Sequence, residues 1–250
     1  QGSAMEPQLV VMHYKGDPNS AETLGFVGKG ITFDSGGISI KPSEGMHEMK
    51  DDMAGAATVL AAVCAIARLR LKVNVLAVMP CVENMPSSHA YRPGDVLHAA
   101  NGKTIEVIST DAEGRRILAD ALWDAEQQGA TRLVDIATLT GACKVALGEF
   151  YAGVIDNDEG WAAELLAAAK EAGEDLWRLP GDVRYREQIK SDIADLKNSG
   201  GRYGGAITGG LFIKEFVTTP WAHVDIGGAV SRAKTSGYLP AGPAGIGVRT

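Results

Sequence analysis

Along this chain, short apolar runs of strand length alternate with longer stripes of helical period. Leu9–Tyr14 and Leu24–Val27 are predicted strands, the second ending in a glycine-punctuated turn from Gly28 to Gly37. Asp52–Ile66 is a predicted helix and Val73–Pro80 a buried strand. Val96–Ala99 and Thr104–Ile108 flank Asn101-Gly102, the strongest short hairpin signal. Arg115–Gln127 places Leu118, Leu122 and Ala125 on one helical face, and Leu133–Ala137 is the next buried strand. Trp161–Ala172 and Leu211–Val217 read as helices, Val154-Ile155 and His223–Ile226 as strands. This alternation predicts an α/β fold: a three-layer α/β/α sandwich around a mostly parallel, mixed sheet. In such sheets the functional site lies beyond the carboxyl ends of the strands.

No linker rich in Pro, Gly or Ser divides the 250 residues, so residues 6–250 read as one domain, and Gln1-Gly2-Ser3-Ala4-Met5 reads as the scar of a cleaved expression tag. The longest uncharged stretch, Met53–Ala67, is short for a membrane span and is followed by Arg68 and Arg70, which favours a buried helix. A net charge of −7 argues against a nucleic-acid partner held by bulk electrostatics. Cys64, Cys81 and Cys143 lie far apart with no CxxC spacing, which argues against a disulfide framework or a cysteine zinc site and fits a reducing, cytoplasmic setting. Trp123, Trp161, Trp177 and Trp221 are expected in the core or at subunit contacts, and Cys81 as a small buried hydrophobe.

The 31 glycines gather around charged residues at predicted strand ends. Three segments stand out: Val27–Lys41 with Lys29, Asp34 and Lys41; Met49-Lys50-Asp51-Asp52-Met53; and Ser109-Thr110-Asp111-Ala112-Glu113-Gly114-Arg115. Singly, each has an ordinary reading. Asp34 ahead of Gly36-Gly37 suits a turn, Asp52 a helix N-cap, and Asp111 and Glu113 a helix first turn; two apart on an extended segment, the last two would also point to one side. Lys29 and Lys41 would ordinarily be solvated. Those readings do not explain why four carboxylates and two lysines collect on strand-end loops.

Asp34, Asp52, Asp111 and Glu113 sum to −4, the charge of two divalent cations reversed. Unpaired, they would raise one another's pKa values; shared between two ions, they would form a two-metal hydrolytic site. His13, His47, His89, His98 and His223 lack ligand spacing, so the oxygen-rich set suits Mn²⁺ or Mg²⁺, with Zn²⁺ able to compete.

The segments VGKGITFDSGG…SIK, KDDMAGAA and TDAEGR, in this order, resemble the signatures of the leucyl aminopeptidase family, the M17 cytosolic metallopeptidases. The similarity extends from about Leu24 to the C-terminus, through Ala137–Ala142 and the 211–226 region. It implies that Lys29, Asp34, Asp52, Asp111 and Glu113 are metal ligands, with Asp34 and Glu113 bridging two divalent ions (Mn²⁺ or Zn²⁺, with Mg²⁺ or Co²⁺ as alternatives). Asp34, Asp111 and Glu113 would hold the readily exchanged ion, and Lys29, Asp34, Asp52 and Glu113 the tighter one. A lysine ligates only when neutral, so Lys29 would lose its proton beside the ion. Lys41 matches the catalytic lysine, and Arg115 the arginine that holds a bicarbonate ion as proton relay. Met49, Ala112, Thr138 and Gly141 match the lining of the pocket for the substrate's first side chain.

The resemblance thus implies an aminopeptidase that removes an N-terminal residue, Leu- or Met-like, from peptides with a free amine, and a homo-oligomer, the hexamer. Narrower activity on dipeptides such as cysteinylglycine is an alternative on the same site; a DNA-binding or regulatory role is another, disfavoured by the charge. The family's N-terminal domain and terminal helix are not matched, which suggests an excised catalytic domain. Two positions depart from the family segment. Ser109 replaces an Asn near the first pocket and bears on side-chain preference, and Arg116 replaces a Leu and reads as a solvated helix residue.

Overall fold

In the computed structural model, which describes residues 2–237 and 239–250, the apolar runs build one eight-stranded sheet. Gln1 of the tag-like stretch lies outside the described residues, while Ser3 donates from Oγ to Glu83 Oε2 (2.6 Å). The first half of the chain folds as β1 (Gln8–Lys15), β2 (Leu24–Gly28), β3 (Gly30–Asp34), α1 (Ala54–Leu69), β4 (Asn74–Asn84), β5 (Val96–His98), β6 (Thr104–Glu106) and α2 (Gly114–Gln127). Then follow β7 (Arg132–Ala137), α3 (Gly141–Leu147), β8 (Ala152–Asp156), α4 (Glu159–Ala172), β9 (Leu176–Arg178), β10 (Leu196–Lys197), α5 (Gly205–Lys214) and β11 (Trp221–Asp225).

The main sheet runs β1-β4-β2-β7-β11-β8-β9, with β3 also beside β4. Its centre, β4, β2, β7 and β11, is parallel. β1 is antiparallel at one edge, and β8 and β9 are reversed at the other. On one face Val27, Val78, Leu133 and Trp221 pack under Leu118 and Leu122 of α2 and Phe212 of α5. On the other, Ala77, Ile136, Val154 and Val224 pack under Ala56, Val59 and Val63 of α1 and Leu165 of α4. The architecture is therefore the expected α/β/α sandwich. Each fully buried aliphatic side chain in these layers contributes about 1.5–3 kcal/mol.

By length and composition 46–69 would suffice to cross a membrane. Here it divides into a 3₁₀ turn, Met46–Asp51, and α1, which lays Ala56, Val59 and Val63 on the sheet. A trough of about 710 Å³ between α1 and α4, lined by Phe26, Ile66 and Trp161 among others, contains none of the candidate ligands.

Several elements differ from expectation. The predicted turn 28–37 holds β3, because β4 continues past Pro80 to Asn84 and offers Cys81–Asn84 as a template. Pro80 falls where β2 has ended and β3 has not begun, so on that side no ladder donor is required of it. The last predicted helix begins earlier, at Gly205, although glycine is a weak helix former. A Cβ on Gly210 would come 2.7 Å from Ile155, so close packing on β8 overrides propensity there. α3 carries no apolar stripe; its signal is Thr140, whose hydroxyl accepts from Cys143 N. The predicted hairpin forms, but in a small separate sheet with β10. Trp221 is fully buried, Trp123 and Trp161 are half-buried, and Trp177 is exposed. Cys81 is only half-buried, because it stands near the sheet margin.

A polar cluster crosses the core between β7 and β11. Asp135 accepts from Trp221 Nε1 (2.7 Å) and pairs with His223 Nδ1 (2.6 Å), all three residues being fully buried. Burial alone would lower the His223 pKa, and Arg115 acts the same way. The Asp135 charge and hydrogen bond, with Asp225 behind them, outweigh both, and the net shift is upward. A histidine raised on folding stabilises fully below its unfolded value of about 6.5 and loses that contribution as pH rises through the folded value. Asp135→Asn is expected to cost about 3–5 kcal/mol at pH 6. Denaturant titrations from pH 5.5 to 8.5 should show this penalty shrinking as pH rises; a penalty independent of pH would refute the account.

Candidate functional site

Lys29 occupies the one-residue break between β2 and β3. Its N–H donates to Ile136 O (3.1 Å) and its carbonyl accepts from Ala56 N (2.8 Å), so sheet and helix α1 both grip its backbone. The approach requires glycine: a Cβ on Gly55 would overlap the Ile136 carbonyl, and one on Gly114 would meet the Lys29 side chain at 2.7 Å. The Lys29 side chain is 3% exposed, and its ammonium lies 2.9 Å from Asp52 Oδ2, Glu113 Oε1 and the Thr138 carbonyl. Asp52 does not cap α1, whose N-cap residue is Met53 with no side-chain cap bond. Instead it faces Lys29, and its Oδ1 accepts from Thr138 Oγ1 (2.8 Å).

A second cation stands among the remaining carboxylates. Lys41 Nζ lies 2.8 Å from Asp34 Oδ2 and 2.6 Å from Asp111 Oδ1. Asp34, at the end of β3, also makes the turn contact that its sequence suggested, accepting from Gly36 N (2.9 Å). Asp111 and Glu113 do not share an extended segment: Ala112 N donates to Ser109 O (3.3 Å), and this turn feeds directly into α2. The turn still brings Asp34, Asp111 and Glu113 oxygens within 4.8 Å of one another.

Residues inside and outside the signature segments hold this arrangement together. Asn84, at the end of β4, donates from Nδ2 to Asp34 Oδ1 (2.8 Å) and to Thr110 O (3.0 Å). Thr110 donates to Gly36 O and accepts from Ser39 N, joining the Asp34 turn to the Asp111 loop. Tyr91 OH also donates to Thr110 O (3.0 Å). Arg116 is not solvated as expected; it is half-buried, with its guanidinium 4.4 Å from the Tyr91 ring centre, a cation–π contact. Asn198 accepts from Ile108 N and donates to Ser109 O, and its carbonyl accepts from Arg115 NH1 (2.9 Å). Asn84, Tyr91 and Asn198 were not foreseen: a lone Asn or Tyr carries no spacing signal, and only the fold brings them to the site.

Arg115 is buried in the first turn of α2; it feels the charge of Glu113 but, among the described residues, makes no hydrogen bond or ion pair with the four carboxylates, and its Nε has no partner there. Met49 is half-buried in the 3₁₀ turn ahead of Asp52, and its carbonyl accepts from Asp52 N. Ser109 and Ala112 lie in the Asp111 turn, Thr138 touches both Lys29 and Asp52, and Gly141 is the exposed first residue of α3.

Burial raises the Asp52 carboxyl to about 7, with Lys29 opposing and Glu113 and Asp34 adding to the rise. Burial opposes the charge on Lys29 and Lys41, but the carboxylates beside them win and raise both. Glu113 Oε2 has no hydrogen-bond partner among the described residues, and Asp52 Oδ2 has only the ion pair with Lys29. A buried, unpaired carboxylate oxygen beside two further carboxylates is a cation-binding feature, and the oxygen-rich set with one amine fits divalent ions.

The comparisons agree with this geometry. The model of the cytosol aminopeptidase family, catalytic domain (Peptidase M17), matches residues 1–250. Proteins described as probable cytosol aminopeptidases from Alkaliphilus metalliredigens and Koribacter versatilis are 55% and 56% identical over the whole chain. The chain spans about half the length of these relatives, 50% and 49%. The bottromycin maturation enzyme BotP superimposes with a TM-score of 0.93 at 41% identity, covering 100% of this chain and 54% of that one. BotP in complex with Mn superimposes equally well, with a TM-score of 0.93 at 42% identity, over 99% of this chain and 55% of that one. With carboxylates and lysines of the signature segments drawn together at the strand ends of this fold, the chain belongs to the cytosol aminopeptidase family, whose catalytic domain it matches throughout.

Proposed function

We propose that the protein is a metal-dependent aminopeptidase that hydrolyses the N-terminal residue, Leu- or Met-like, from peptides. The reading is carried by the convergence of Asp34, Asp111 and Glu113 beside Lys29 and Asp52, with Glu113 Oε2 unpaired among the described residues, in a chain of this family. Asp34, Asp111 and Glu113 would hold one divalent ion, and Lys29, Asp34, Asp52 and Glu113 the other, with Asp34 and Glu113 shared between the two. Mn²⁺ is favoured by the likeness to the Mn complex of BotP, with Zn²⁺, Mg²⁺ and Co²⁺ as alternatives. When bound, the ions polarise the scissile carbonyl and lower the pKa of water toward neutrality.

Lys41 Nζ, on the half-buried side of the carboxylate cluster, donates to the oxyanion that develops on the carbonyl oxygen. Arg115 would hold a bicarbonate ion through its guanidinium, and that anion would supply a proton acceptor for the reaction. Met49, Ser109, Ala112, Thr138 and Gly141 bound the pocket for the first side chain. Lys29 must give up its proton to ligate, because an ammonium has no lone pair. The substrate's free amine is the group that confines cleavage to N-termini. The working form is a homo-oligomer, the hexamer, acting in the cytoplasm on peptide substrates, with neither nucleic acid nor membrane as partner.

Exhaustive chelation is expected to abolish turnover of aminoacyl amides, and Mn²⁺, Zn²⁺ or Co²⁺ to restore it; full activity in the chelated protein would refute the proposal. Asp34→Ala and Glu113→Ala should each remove a bridge and leave less residual activity than Arg115→Ala, whose anion water partly replaces. Comparable residual rates would contradict these roles. The lysines separate a ligand from a catalytic residue. Lys29→Ala should lower affinity for the tighter ion, whereas Lys41→Ala should keep its metal and lose about 10²–10³ in kcat. Metal content and kcat measured on both variants decide the assignment, and the opposite pattern would reverse it.

A further inference from the structure

Asp225, the last residue of β11, is 2% exposed and touches none of the candidate ligands. Its Oδ1 accepts from Gly227 N (3.0 Å), Leu139 N (3.3 Å) and Thr140 N (3.3 Å), and its Oδ2 from Thr140 Oγ1 (2.6 Å). One carboxylate thus gathers two successive amides and the side chain of the loop that leaves β7. Capping of α3 alone would need only the Thr140 hydroxyl, which accepts from Cys143 N (3.0 Å). The two amide bonds to Leu139 and Thr140 call for another reason.

That reason lies on the far side of the loop. A trans peptide directs its carbonyl opposite to its N–H. Turning the Leu139 N–H toward Asp225 therefore turns the Thr138 carbonyl away from it, and that carbonyl accepts from Lys29 Nζ at 2.9 Å. The same residue sets its hydroxyl 2.8 Å from Asp52 Oδ1. A shift of the loop moves both Thr138 contacts together.

We propose that Asp225 is a positioning residue of the active site: by anchoring the 138–141 loop it aims Thr138 at Lys29 and Asp52 and fixes the adjoining wall of the first side-chain pocket. The inference rests on the aminopeptidase reading for the pocket, but not for the metal. Groups that orient metal ligands typically contribute 10–100-fold in affinity. The test compares wild type with Asp225→Ala and Asp225→Asn by calorimetric titration with Mn²⁺ and by the ratio of kcat/KM for leucyl over alanyl anilides. Asp225→Ala should bind Mn²⁺ about tenfold more weakly and lose discrimination between the two anilides. Asp225→Asn, which keeps the Oδ1 acceptor, should recover most of both. The ratio does not depend on how much of the protein is folded, so a purely structural role would leave it unchanged. A folded Asp225→Ala with wild-type Mn²⁺ affinity and wild-type ratio overturns the proposal. If that variant does not fold, Thr140→Val replaces it, with weaker Mn²⁺ binding expected and wild-type binding overturning the idea. Wild-type protein that binds Mn²⁺ but cleaves neither anilide would refute the aminopeptidase reading, while the Mn²⁺ titration would still decide the role of Asp225.

Discussion

Four carboxylates forced into one cleft set the terms for the rest of this structure. Asp34, Asp52, Asp111 and Glu113 come from three segments of chain, and all but Asp111 are buried where they meet. At separations near 5 Å in a partly buried site, like charges repel strongly enough to shift protonation by whole units. Positive charge must stand among them. Lys29 lies between Asp52 and Glu113, and Lys41 between Asp34 and Asp111, so each lysine serves one acidic pair. Burial, with the Glu113 and Asp34 charges behind it, raises the Asp52 carboxyl to about 7 against the pull of Lys29, and on that same side Glu113 Oε2 lacks a hydrogen-bond partner among the described residues.

Holding such a cluster demands a backbone that does not yield, and the fold meets the demand with crossed hydrogen bonds between the converging segments. The β3 turn is tied to the Asp111 loop through Thr110 and Ser39, and both are tied to β4 through Asn84. The Asp111 loop is held from the opposite side by Asn198, which also restrains Arg115. Donors and acceptors in this web are almost all buried and paired, which makes the geometry costly to distort.

Much of this was legible in the residues. Apolar runs and helical stripes marked the sandwich, because period is a local property of sequence, and the clustering of acidic and basic residues in glycine-rich strand ends marked the cleft. What escaped was the part that depends on distance across the fold. β3 was hidden in a stretch that reads as a turn, since its strand character comes from the free margin of β4 beyond Pro80. The start of α5 was hidden by glycines, whose weak helix propensity is overridden by close packing on Ile155. Arg116 reads as a surface residue until Tyr91 is brought beneath it. Asn84 and Asn198 have no signal short of the tertiary structure itself.

The two glycines around Lys29 act as a spacer gauge. Gly55 lets the first turn of α1 rest directly on the Ile136 carbonyl, and Gly114 lets the first turn of α2 close over the Lys29 stem. The helices carry Asp52 and Glu113 at those same ends. The width of the charged cleft is thus set on the Asp52 side by main chain resting on main chain, and on the Glu113 side by main chain resting on the buried Lys29 side chain. A single methyl group at Gly55 would have to displace main chain, whereas one at Gly114 would press on the Lys29 side chain itself. Chemistry that needs tolerances of tenths of an ångström is in this way referred to the hardest surface a protein has, its own main chain.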